Sequence, residues 1–143
     1  MPYSTLATKD AYYELNLLTK GDCMQFQDSI KTCLTKYVDF NGRASRSEFW
    51  WFVLFTVIVH FVCGALSDKL QIIVGLILFL PYLAVAVRRL HDIGKNWYWI
   101  LIGIIPLIGA LVLIYFYVQK SSPTANAFGD VPPGADVAEI TQG

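Results

Sequence analysis

Apolar residues along this chain come in two arrangements, a helical stripe near the start and three long unbroken runs after it. Phe26, Ile30, Cys33, Leu34, Tyr37 and Val38 recur at spacings of three and four while Asp28, Lys31 and Lys36 fall elsewhere, which predicts an amphipathic helix over 26–38. Such a helix buries its stripe by lying on a membrane or by packing on the ends of the helices that follow. Phe49–Leu66 and Leu70–Val87 are each 18 residues without a formal charge, and Trp97–Val118 is 22. A hydrocarbon core of roughly 30 Å needs about 20 such residues per helical crossing, so each run predicts a transmembrane helix. The polar faces that a soluble helical bundle presents to water are missing from all three.

The ends of the runs carry boundary signals. Ser45-Arg46-Ser47-Glu48 fits a capping box, in which the Ser45 hydroxyl and the Glu48 carboxylate each satisfy a first-turn N–H, so the first long helix starts at Arg46. Asn41-Gly42 before it reads as a turn, and Phe49, Trp50, Trp51 and Phe52 read as an aromatic belt at headgroup depth. Trp97, Tyr98 and Trp99 open the third run likewise, and Tyr115, Phe116 and Tyr117 close it. The second helix is carried past Val87 to Ile93 by arginines that snorkel, Gly94 suits its C-terminus, and Asn96 caps the third. Pro81 is expected to kink the second span, and Pro106, between Gly103 and Gly109, to loosen the third. The fold class is therefore all-α, a polytopic membrane protein with three transmembrane helices (46–66, 70–93 and 97–118) preceded by an amphipathic interfacial helix.

Composition agrees with the pattern. The 143 residues hold one domain's worth of chain, 55% hydrophobic and 15% charged, far from the soluble average. Net charge is zero and bases are not interleaved with stacking aromatics in a polar setting, so a nucleic-acid partner is not expected. Cys23, Cys33 and Cys63 are odd in number and form no Cys-x-x-Cys pair, which argues against a disulfide framework or a zinc site. Residues 1–22 are weakly patterned and lack the basic-then-apolar order of a cleavable signal peptide, and the Pro-, Gly- and Ala-rich tail, 121–143, is expected to be mostly disordered. Lys31, Lys36, Arg43, Arg46, Arg88, Arg89 and Lys95 fall on one side of a three-span arrangement, against Lys69 and Lys120 on the other. That bias predicts a cytoplasmic N-terminus and a tail outside.

Four segments carry a resemblance. Phe40-Asn41-Gly42-Arg43-Ala44-Ser45-Arg46-Ser47-Glu48-Phe49-Trp50-Trp51-Phe52, then Arg88-Arg89-Leu90-His91-Asp92-Ile93-Gly94, then Ile105-Pro106-Leu107-Ile108-Gly109, then Asn126-Ala127-Phe128-Gly129-Asp130 stand in order. Together they resemble the domain of unknown function 805 family over roughly residues 26–133. The resemblance implies a small protein of a bacterial inner membrane and implies no activity. In that family the last block usually has a basic residue and a tyrosine where this chain has Ala127 and Phe128.

Most of the charge between Phe49 and Val118 sits in Arg88–Asn96. On a continuing helix Arg88, His91 and Asp92 share a face, with an Arg88 to Asp92 pair, and Arg89 points about 100° away. One reading is an interfacial anchor. The other is a site for an anionic headgroup or a membrane partner, with Arg43, Arg46, Arg88, Arg89 and Lys95 converging on one basic cytoplasmic surface and Glu48, His91 and Asp92 orienting them. Phosphate suits this set because guanidinium forks match its oxygens. No catalytic residue, cofactor or metal ligand is assigned: His91 and Asp92 are adjacent and diverge, His60 and His91 lie on different spans, and no nucleophile has a base at useful spacing. His60, inside a span, is expected to pack neutral with one nitrogen bonded to a backbone or hydroxyl group. The expected partners are membrane lipids, anionic phospholipid among them, a second copy of the chain, or another membrane protein. An oligomeric transporter or channel component is the alternative, although no internal repeat is visible.

Overall fold

Residues 25–135 are described by the structure, a computed structural model. Helix α1 spans Phe26–Thr35, α2 Arg46–Leu66 and α3 Asp68–Asp92. A 3-10 helix follows at Trp97–Ile104, then α4 at Ile108–Val118. Residues 1–24 and 136–143 lie outside the described range, and with them the N-terminal extension and the last part of the tail.

Local chemistry sets the helix ends. Ser45 caps α2 by accepting the Glu48 N–H at 3.2 Å, half of the anticipated capping box. The Glu48 carboxylate is occupied elsewhere, on Arg88. Only Ser67 separates α2 from α3, so the two are antiparallel neighbours, and α3 begins two residues before the expected position 70. At about 1.5 Å per residue α2 is roughly 32 Å long and α3 roughly 38 Å, so both are long and apolar enough to cross a hydrocarbon core. Helix α3 runs through Pro81 without ending. It stops in a Schellman turn, with Gly94 at φ +76°. Gly94 N donates to His91 O at 3.0 Å and Lys95 N to Leu90 O at 2.9 Å.

The third apolar run is not one continuous helix. Its two limbs, the 3-10 helix and α4, fold back on each other as a helical hairpin. In one straight helix Trp99 and Phe116 would stand about 25 Å apart. Their rings instead meet edge-on with centroids 5.4 Å apart, and Lys95 Nζ lies 5.3 Å and 5.7 Å from the two centroids. The reversal is a γ-turn at Leu107 (φ 64°, ψ −62°), in which Ile108 N donates to Pro106 O at 2.8 Å. Gly109 makes the crossing possible, because a Cβ there would lie 1.8 Å from Ile102 O. Each limb is about 16 Å deep, roughly half the apolar core of a bilayer. At the start of the descending limb the Asn96 side chain makes no cap bond and donates to the Tyr98 hydroxyl.

The hairpin returns α4 to the end of the bundle where α2 starts and α3 stops. Arg46 Nη1 reaches Val118 O at 3.2 Å, and Tyr117 packs on Phe49 with ring centroids 4.4 Å apart. The buried core is concentrated here, around Phe49, Phe52, Val85, Ala86, Leu90, Phe116 and Tyr117. Phe49 and Phe52 thus belong to the core, and Trp50 and Trp51 alone of that quartet face outward. Along the outer faces of α2 and α3, Phe61, Leu66, Ile72 and Leu76 are exposed, as lipid-facing positions are. Helix α1 packs on α2 through Ser29 and Cys33, leaving Leu34, Tyr37 and Val38 uncovered. Nor is the tail loose as far as residue 135: Ser121 and Ala135 are buried. The proximity of its carbonyls to buried arginines supplies the order that its composition does not.

Candidate functional site: a buried arginine node

The first half of the node forms where α1, α2 and α3 meet. Glu48 lies in the first turn of α2 and Arg88 in the last turns of α3, and antiparallel packing brings them level. Arg88 Nη1 donates to Glu48 Oε1 at 2.6 Å, with both side chains nearly inaccessible. Cys33 Sγ contacts the same oxygen at 3.7 Å. Burial, followed by the Glu48 charge, pushes the Cys33 thiol up to about 12. It therefore stays a protonated donor, the wrong state for a nucleophile.

The second half joins α3 to the hairpin and the tail. Asp92 Oδ1 accepts from Arg43 Nε at 3.0 Å and Nη2 at 2.9 Å, and Oδ2 accepts from Arg89 Nη1. All three side chains are fully buried. Arg89 then caps the open C-terminal end of α4, donating from Nε to Tyr117 O at 3.2 Å and from Nη2 to Gln119 O. A cation there satisfies carbonyls that the helix leaves unpaired and lies at the negative end of its dipole. Arg43 gathers the tail in the same way, with Nη2 on Ser122 O at 2.6 Å and Nη1 on Thr124 O at 2.8 Å and Gly129 O at 3.3 Å.

A third contact fastens the tail turn itself. Asn126 Oδ1 accepts the Phe128 N–H at 2.9 Å, and Asn126 Nδ2 donates to His91 O at 2.9 Å. The Phe128 ring stacks on His91, 2° from parallel and 4.0 Å between centroids. His91 Nδ1 is 3.2 Å from Gly42 O, and a carbonyl only accepts, so that nitrogen carries the proton. Phe128 thus completes the contact through its ring face.

These contacts correct two expectations from the sequence. Arg88 and Arg89 do not snorkel, being 1% and 0% exposed. Arg88 does not pair with Asp92 either. A base placed N-terminal to an acid at this spacing is the weaker orientation on a helix, and Glu48 offers Arg88 a tertiary partner instead. Arg43, Arg88, Arg89, Glu48, His91 and Asp92 are all brought together, but as an internal ion-pair cluster. Arg46 and Lys95 lie at its rim, partly exposed, with Arg46 on the α4 C-terminus and Lys95 over the two hairpin rings. Cys33, Asn126 and Phe128 are node residues that charge-based reasoning missed. Cys33 was visible on the stripe of α1, and the other two in the last of the four sequence blocks.

Beside the node is a cavity of about 470 Å³. Leu83, Val87 and His91 of α3 form one wall, Trp97, Ile100 and Leu101 of the descending limb the other, and Phe40 and Asn41 its rim. Its walls are apolar, and it lies at the level of the α3 C-terminus.

Residues 37–130 match the family described as "Protein of unknown function (DUF805)". The chain is 41% identical over 110 residues to "Inner membrane protein YhaH" of Escherichia coli (strain K12), covering 69% of this chain and 91% of that protein. It is 40% identical over 110 residues to "Inner membrane protein YhaI" of the same strain, with 69% and 90% covered. No solved structure matches.

Proposed function

The chain belongs to the DUF805 family, an integral inner-membrane protein like its relatives, and we propose that it works by binding rather than catalysis, taking up a membrane phospholipid at its cytoplasmic end. In this reading α2 and α3 cross the bilayer, the hairpin enters and leaves from one side, and α1 lies in the interface. The distribution of basic residues supports a cytoplasmic assignment for the node end. Lys31, Lys36, Arg43, Arg46, Arg88, Arg89, Lys95 and Lys120 all belong to it, while Lys69 alone among the described basic residues lies at the opposite end.

The observation that carries the binding reading is the 470 Å³ cavity between α3 and the descending limb. It lies within the size range of small-molecule sites, and its mouth is at headgroup depth. An acyl chain fits the walls of Leu83, Val87, Ile100 and Leu101, while Asn41 and His91 meet the polar part of the lipid. Selection for an anionic headgroup comes from the field of this end: the buried node holds three guanidiniums against two carboxylates, and Arg46, Lys95 and Lys120 lie around it. The buried arginines act through that field and not as direct ligands: the donors of Arg43 and Arg89 are directed to internal acceptors, and Arg88, bonded to Glu48 through Nη1 alone, is 1% exposed, with its Nε and Nη2 buried without a partner among the described residues. Because His91 lines the cavity and stacks on Phe128, occupancy bears on the tail turn. Cys33, held as a thiol, supports a site without covalent chemistry.

The test is mass spectrometry of lipid retained through purification in mild detergent, comparing the parent with Leu101→Trp, which fills the cavity. Retained anionic phospholipid in the parent, and its loss in a variant of unchanged oligomeric state and folding, is the expected result. Equal retention by both, or none by either, would overturn the reading.

A further inference from the structure

A second cavity, of about 260 Å³, lies between α2 and α3 within the apolar stretch of both helices. Thr56 and His60 enter it from α2, and Gly75, Leu78, Phe79 and Tyr82 from α3. The spacing explains the lining: Thr56 and His60 are one turn apart, and 75, 78, 79 and 82 follow one helical face. Counting about 1.5 Å per residue, His60 is roughly 21 Å from the start of α2 and Tyr82 about 15 Å from the end of α3. Both are at hydrocarbon depth, beyond the reach of the interfacial cavity.

Three polar side chains at that depth need a reason, because each is costly to place in lipid. Thr56 Oγ1 donates to Val53 O at 2.7 Å, so its lone pairs are left as acceptors. His60 Nδ1 lies 2.7 Å from Thr56 O, which requires the proton on Nδ1, as the sequence led one to expect. With the proton of the neutral ring on Nδ1, Nε2 carries a lone pair and accepts. Room at Nε2 is kept by Gly75, where a Cβ would approach to 3.2 Å. The Tyr82 hydroxyl is the remaining polar group of the lining. The acceptors Nε2 and Oγ1 call for a donor on the ligand.

We propose that this cavity is a binding site for a membrane-dissolved lipid bearing a hydroxyl, whose O–H donates to His60 Nε2. Depth excludes a water-borne ligand. The volume is below that of sites for whole drug-sized molecules, so it takes a head or ring and leaves the tail in the bilayer. Phe79, 59% exposed, forms the way out to lipid. A long-chain alcohol and a hydroquinone-headed lipid share this chemistry. The site is separate from the interfacial cavity and stands whether or not phospholipid binds there.

The experiment is photocrosslinking in vesicles with three diazirine-tailed probes of equal length: a primary alcohol, a hydroquinone, and the methyl ether of the alcohol. Peptides from the cavity segments of α2 and α3 should be labelled by the alcohol or the hydroquinone about fivefold to tenfold more than by the ether, the size of one hydrogen bond. Whichever donor labels more identifies the head. Gly75→Leu, which fills the space, and His60→Leu, which removes the acceptor, should reduce labelling to the ether level. His60→Gln, which retains a carbonyl acceptor and an amide donor, should restore part of it and guards against loss through misfolding. Equal labelling by all three probes, or labelling unchanged in Gly75→Leu and His60→Leu, would overturn the proposal.

Discussion

Replacing Asp92 by Asn removes one negative charge from a fully buried position between two guanidiniums and changes side-chain volume very little. Arg43 approaches the carboxylate to 2.9 Å, and Arg89 bonds its other oxygen. At an effective dielectric near 20, unit charges about 3 Å apart attract by roughly 5 kcal/mol per pair before the cost of desolvation. That desolvation is common to parent and variant for the two arginines, so it does not offset the loss. The amide leaves two cations facing each other, and the expected destabilisation is about 3–5 kcal/mol, the range for breaking a buried pair from one side. Equilibrium unfolding by SDS in mixed micelles measures it. A second observable follows from the geometry: Arg43, released from Asp92, holds the Ser122 and Thr124 carbonyls less firmly, so trypsin should cut faster after Lys120. Arg43→Gln combined with Asp92→Asn should cost less than the sum of the two, since the double variant removes one of the unpaired cations. A loss below about 1 kcal/mol for Asp92→Asn, or strict additivity in the double variant, would show that the node is a solvated surface cluster and refute the account.

Three further outcomes follow from the same structure. At position 107 the γ-turn makes Leu107→Ile destabilising by about 1 kcal/mol and Leu107→Gly neutral or stabilising, because β-branching is hardest to accommodate at positive φ. A continuous third span would reverse that order, with Gly costing about 1 kcal/mol, so the same unfolding assay separates the two folds. Cys33, in a chain with Cys23 and Cys63 replaced by Ser, should resist maleimide at pH 8 when folded and react once unfolded in SDS. Its folded value lies above the unfolded 9.0, so the thiol's contribution to stability is fully present below pH 9 and falls as pH rises toward about 12. Reporter fusions before residue 25 and after residue 135 should register on the same side of the membrane, where a third span would place them on opposite sides.

Much of the architecture was legible in the chain. The start of α2 at Arg46 and its end at Leu66 follow from a Ser cap and from the change in polarity at Ser67–Lys69. Gly94 marked the end of α3, and the membrane setting followed from the length of the uncharged runs. The node's members were also singled out, because charge is conspicuous in an apolar chain. Their connections were not. Arg88 finds Glu48 forty positions away and Arg43 finds Asp92 forty-nine positions away. Helical geometry constrains neighbours three and four residues apart and is silent about partners on another helix.

The sequence by itself determined which segments are apolar, where two of the helices begin and end, and that the chain lives in a membrane. Each of these is local, depending on the transfer cost of residues and on caps within a turn. Whether 97–118 forms one straight helix or turns back on itself was decided by tertiary structure alone. Both conformations bury the same hydrophobic residues, so hydropathy does not distinguish them. The hairpin prevails through contacts that a straight helix cannot make: Gly109 against Ile102, Trp99 against Phe116, and the α4 C-terminus on Arg89 and Arg46. By bringing that C-terminus back to the buried arginines, the turn at Leu107 also orders the tail and makes one node of segments that are far apart in the chain.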